Sequence, residues 1–193
     1  MEIKMKSKRK IFNEVMTIFK ELGDDCLRVF LEKGNREKVK KFCKSLLRKK
    51  FVVKVDYKKT VEEKVVEIGY GEVNPYVNSE FFPINERKGV VEIEIEAFYL
   101  ENEMTPSEAE ESLKKHGLHP AEFEPFLSFE ERNPEIRKQC SVACLGSHIN
   151  YGRMCNMWYS YPYSFTTKEG KSVLTFTFKD HVFEKGTCIP AVR

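Results

Sequence analysis

The chain has 193 residues, 41% of them hydrophobic and 33% charged, with fifteen Phe, eight Tyr and one Trp. This length and composition suit a globular protein with a real apolar core rather than a disordered chain. No run approaches the roughly 20 apolar residues of a membrane span, and the charged segment Met1–Lys10 precedes an amphipathic stretch, so no export signal is read and a soluble, cytoplasmic protein is expected.

The formal net charge of +3 conceals an asymmetry. Residues 1–60 hold 19 Lys/Arg against 8 Asp/Glu, residues 61–139 hold 8 against 19, and residues 140–193 hold 6 against 3. A basic N-terminal part can meet a nucleic acid through counterion release, dock on the acidic middle of its own chain or of a partner subunit, or simply be a solvated face.

In chain order, Ile11, Phe12, Val15, Met16, Ile18, Phe19 and Leu22 form one helical stripe that Gly23 ends. Leu27, Phe30 and Leu31 suggest a second short helix, and Val39, Phe42, Cys43, Leu46 and Leu47 a third behind Asn35. The polar side of the third carries Lys38, Lys40, Lys41, Lys44 and Arg48, continued by Lys49 and Lys50. These seven residues are the candidate polyanion-binding set, and residues 1–50 are expected to be a basic helical segment.

Phe51 to Tyr57 is rich in β-branched and aromatic residues and reads as a strand. Val61–Ile68 fits neither period decisively. Gly69, Gly71, Asn74, Pro75 and Asn78 mark a loop, and Phe81, Phe82, Pro83 and Ile84 an apolar plug or short strand. Val91, Ile93, Ile95 and Ala97 alternate with Glu92, Glu94 and Glu96, which predicts an antiparallel strand with one wet, glutamate-bearing face. Thr105-Pro106-Ser107-Glu108 is a capped helix start, and a second helix carries Phe123, Phe126, Leu127 and Phe129 up to Asn133-Pro134, with one further turn at Pro134-Glu135-Ile136. Val142–Leu145, Ser172–Phe178 and Cys188–Val192 read as strands.

His148, Asn150, Tyr151, Arg153, Asn156, Trp158, Tyr159, Ser160, Tyr161, Tyr163 and Ser164 give the segment 148–164 the composition of a paratope. Tyr and Trp offer contact area at low entropic cost, and Asn and Ser offer adaptable hydrogen bonds. The competing reading is that these aromatics fill the core, Trp158 above all. Cys140, Cys144, His148 and Cys155 have ligand types that zinc accepts, yet residues four apart on a strand lie about 13 Å from one another. No metal or cofactor is therefore expected. The six cysteines read as reduced thiols, no local signature pairs any of them with a histidine, and no enzymatic activity is expected.

Val-Lys-Val-Asp-Tyr (53–57), Val-Asn-Ser-Glu-Phe-Phe-Pro (77–83), Val-Glu-Ile-Glu-Ile-Glu (91–96), His-Pro-Ala-Glu-Phe-Glu-Pro-Phe-Leu (119–127), Ala-Cys-Leu-Gly-Ser (143–147) and Ile-Pro-Ala-Val-Arg (189–193) occur in an order that resembles an uncharacterised family of bacterial proteins abundant in the candidate phyla radiation. The helix entry within Gly117–Leu127 and the closing Ala-Val-Arg further resemble the C-type-lectin-like scaffold of formylglycine-generating-enzyme relatives and of diversity-generating-retroelement targets. The resemblance implies an α+β chain: the N-terminal helical segment, then a C-type-lectin-like domain of mixed helix and antiparallel sheet over residues 51–193. In retroelement targets the variable residues lie in a C-terminal segment like 148–164. The implied function is a ligand- or protein-binding module, with a protein or other macromolecule as partner; the alternative is nucleic acid held by the basic helices. No membrane partner is expected.

Overall fold

The computed structural model describes residues 50–83, 89–151 and 158–193; the three N-terminal helices expected from the sequence lie outside them. Lys50–Arg193 is one compact unit. Nine strands lie in one mixed sheet among the described residues: β1 (Lys50–Asp56), β2 (Glu72–Val73), β3 (Val90–Tyr99), β4 (His119–Pro120), β5 (Val142–Ala143), β6 (Ile149–Tyr151), β7 (Trp158–Thr166), β8 (Ser172–Phe178) and β9 (Cys188–Val192). Their order is β1-β3-β9-β5-β7-β8-β2, with β4 on β9 and β6 on β7. The β5–β9 and β2–β8 pairs are parallel and the others antiparallel. Four helices accompany it: α1 (Val61–Ile68), α2 (Pro106–Lys114), α3 (Phe123–Arg132) and α4 (Pro134–Gln139). None of the helices described is long and apolar enough to cross a membrane.

The ambiguous stretch 61–68 is a helix because its ends are fixed locally. Thr60 and Glu63 form a reciprocal capping box, and Gly69 closes the far end in the left-handed region at φ 70°. α2 starts with the same device, Thr105 with Glu108, and has Pro106 in its first turn.

Alternation along the strands divides the core between the two faces of the sheet. Val53, Val55, Ile95, Val142, Leu174 and Cys188 pack against Val61 and Val65 of α1 and Phe123, Phe126, Leu127 and Phe129 of α3. On the other face, Phe98, Ala143, Ile189 and Ala191 pack against Ala109 and Leu113 of α2 and against Phe183. Phe82 is a buried plug rather than a strand, with its ring centroid 4.1 Å from that of Phe123.

The glutamate face of β3 departs from expectation at one end. Glu92 and Glu94 are exposed and pair across the strands with Lys54 at 3.6 Å and Lys50 at 2.5 Å. Glu96 is buried. There β9 has joined β3, pairing Ala191 with Glu96, and Arg193 donates to the Glu96 carboxylate from Nε (3.1 Å) and Nη2 (2.9 Å). At the opposite end Val90 and Val91 are exposed, because the second core is reached only at Phe98 and the first thins beyond Ile93.

α3 and β7 are tied by a buried carboxylate. Glu130, 1% exposed, accepts from the hydroxyls of Tyr70 and Ser164 and, at 3.5 Å, from Arg137 Nη1. The Arg137 guanidinium lies 4.6 Å from the centroid of the Tyr70 ring. Burial raises the Glu130 pKa, against the lowering effect of Ser164, Tyr70 and Arg137.

Glu130→Gln and Arg137→Met are each expected to lower stability by about 3 kcal/mol in urea melts, because each leaves its partner buried and uncompensated. The double variant should lose clearly less than the sum. Folded Glu130 holds its proton more tightly than the unfolded chain, so its contribution is fully present below the unfolded pKa of about 4.3 and declines as pH rises through the folded value. Glu130→Gln should remove that slope. Gly146→Ala should lower stability by about 3 kcal/mol, since a Cβ there would sit 2.4 Å from the Ala121 carbonyl oxygen.

Candidate functional site

Segment 148–164 is built on the pairing of β6 with β7, in the register Ile149↔Ser160, Asn150↔Tyr159 and Tyr151↔Trp158. Arg153 and Asn156 lie outside the described residues, and Asn150, Tyr151, Trp158 and Tyr159 are placed by this register alone. Ile149 is anchored in the first core. Along β7, Ser160, Pro162 and Ser164 are buried, while Tyr161 and Tyr163 between them are half-buried. Period-two geometry therefore turns the two tyrosines to the sheet face that carries the second core, against which both pack.

A row of rings results. His148 is exposed, with its ring 6.1 Å from that of Tyr161. Tyr163 lies 5.8 Å from His181 and 5.9 Å from Phe183, and His181 and Phe183 meet edge to face at 5.1 Å. Burial pushes the Tyr163 phenol up, partly countered by a hydrogen bond with Ser141. Tyr161 and Tyr163 are thus each packed on the second core and still partly exposed.

Of the candidate polyanion-binding set, Lys38, Lys40, Lys41, Lys44, Arg48 and Lys49 lie outside the described residues. Lys50 is exposed at the start of β1, and its ammonium is engaged by Glu94.

Two features of the acidic middle are not apparent from local sequence. The Glu130 cluster is one, and all three partners of its carboxylate are supplied by the chain. The other is Lys64, which stands on the buried stripe of α1 with Val61, Val65 and Ile68 at helical spacing. A lysine at that position of an amphipathic helix is a visible signal, but only once 61–68 is known to be a helix.

Three cysteines lie among the described residues, Cys140 half-buried and Cys144 and Cys188 buried. Burial drives the pKa values of Cys144 and Cys188 far up, and that of Cys140 up as well. The Cys144 thiol donates to the Ala121 carbonyl at 3.5 Å. Among the described residues no three His, Cys, Asp or Glu side chains gather as a metal-ligand set. Iodoacetamide at neutral pH, read by peptide mass mapping, is expected to leave Cys144 and Cys188 unmodified in the folded protein and to label both after denaturation. No family model, curated protein or solved structure matches this chain.

Proposed function

We propose that this protein is a non-enzymatic binding module of C-type-lectin-like kind, which recognises a protein partner through the β6–β7 surface. The observation that carries this reading is the row from His148 through Tyr161 to Tyr163 and His181, held on one face and half open. Rings braced from behind by Phe183 and the second core lose little conformational freedom on binding. The composition of 148–164 and its resemblance to the variable segment of retroelement targets support the same surface. The resemblance to formylglycine-generating-enzyme relatives is then one of scaffold alone, a reading supported at Cys144 and Cys188, whose thiols burial keeps protonated.

His148 is the residue to alter, because it is exposed and does not belong to the second core. A partner captured from a lysate of the source organism by the immobilised wild-type chain should bind His148→Asp at least about tenfold more weakly. The melting temperature should stay within about 2 °C, as expected for a surface change. Undiminished capture by His148→Asp would sink the proposal. Tyr161→Ala should weaken capture too, with a small loss of stability because that ring is half packed.

A further inference from the structure

On the opposite face of the sheet from the tyrosine row, β1, α1 and α3 border a pocket of about 220 Å³ that is open to solvent on one side. Lys64 lines it. This residue is 6% exposed, its ammonium lies 5.6 Å from the centroid of the Tyr57 ring, and it makes no hydrogen bond among the described residues. A buried ammonium without a hydrogen-bonded anion is costly to keep. Val or Leu would complete the α1 stripe without that cost. Burial lowers the affinity of Lys64 for its proton, and the carboxylates of Glu124, Asp56 and Glu131 only partly oppose this from beyond bonding range.

The remaining charges on the wall decide what would fit. Lys59 is closed by Glu67 at 2.5 Å, and Lys54 reaches Glu92 at 3.6 Å. That leaves Lys64 and Arg132 as cations and Glu131 and Asp56 as carboxylates, the latter with one oxygen already accepting from the Lys58 amide at 2.9 Å, and Ile68 and Leu127 as apolar wall. A simple anion would satisfy Lys64 while facing two carboxylates. A simple cation would leave Lys64 as it is. A ligand with one charge of each sign meets both needs. At roughly 30 Å³ per water, the space equals about seven waters, which is the size of a small metabolite and below that of a drug-sized pocket.

We propose that this cavity binds a small aliphatic α-amino acid, its carboxylate on Lys64 and Arg132, its ammonium toward Asp56 and Glu131, and its side chain against Ile68 and Leu127. The site is independent of the β6–β7 surface, so either assignment can fail without the other.

The test is titration calorimetry and thermal shift on the full chain with glycine, L-alanine, L-valine and L-leucine. Isovalerate and isobutylamine serve as the carboxylate-only and amine-only counterparts of valine. At least one amino acid should bind with Kd below about 1 mM and raise the melting temperature, and each single-charge counterpart should bind at least about tenfold more weakly. Lys64→Met should abolish the binding while melting no lower than wild type, because the stem is retained and the buried charge is gone. Arg132→Gln, altered at an exposed position, should weaken binding about tenfold and serves as the second variant should Lys64→Met fail to fold. The proposal is overturned if no amino acid in the set binds at about 10 mM, if Lys64→Met binds as wild type does, or if a single-charge counterpart binds as tightly as valine.

Discussion

The burial of the Glu130 carboxylate is the constraint from which the arrangement of the rest follows. A carboxyl group inside a protein is tolerated only when its oxygens are engaged. Here they are engaged by Tyr70 from the loop behind α1, Arg137 from α4 and Ser164 from β7, on a carboxylate supplied by α3. A network of this kind is worse than an apolar core if half satisfied, so it favours the arrangement in which all three partners arrive together. For Ser164 to reach Glu130, β7 must turn Ser160, Pro162 and Ser164 toward α3. Strand period then sends Tyr161 and Tyr163 to the other face. A slip of one residue would bury the tyrosines under α3 and carry Ser164 away from the carboxylate. The buried acid and the proposed recognition surface are thus two consequences of one register.

β9 plays the corresponding part at the centre of the sheet. It lies between β3 and β5 with Cys188, Ile189, Pro190 and Ala191 all buried, and it is the strand on which both cores meet. Its pairings join positions far apart in the chain, Glu96 with Ala191 among them. Contacts of that separation repay their loop-closure entropy late, so the sheet is expected to consolidate around β9 after the β7–β8 hairpin, whose strands are joined by the Lys168-Glu169-Gly170 turn. The burial of Glu96 belongs to the same event, since its cover and its Arg193 partner both come with β9.

What the sequence showed and what it hid divide along the range of the deciding interaction. β1, β3 and β8 are carried by alternation within a few residues, and α2 by its Thr105-Pro106-Glu108 start; these were legible. The helix over 61–68 was legible in principle from Thr60 and Glu63, but its short apolar stripe contains Lys64, which blurs the period. The alternation of Glu96 with Ile95 marks it as wet; its burial depends on β9, nearly a hundred residues away. Glu130 carries no local signal, its partners lying 60 residues before it and 7 and 34 after. For the tyrosines, alternation specifies that they share a face. It cannot say that this face carries a second core of its own, since α2 and Phe183, which make that core, are separate in sequence.

Glu130 and Lys64 are both buried ionisable groups on the same face of the sheet, and they are treated in opposite ways. The acid is surrounded by three donors from three elements, and nothing is left for a ligand to supply. The lysine has an aromatic ring beside it, carboxylates beyond bonding range, and a cavity adjoining it. A buried charge completed by the fold specifies structure, and replacing it should disturb structure. A buried charge that the fold leaves incomplete beside a cavity contributes little to specifying structure and burdens stability, and the balance is restored when something else supplies the missing partner. By that physical criterion the two residues belong to different classes, although in the sequence they are two charged letters on two amphipathic helices.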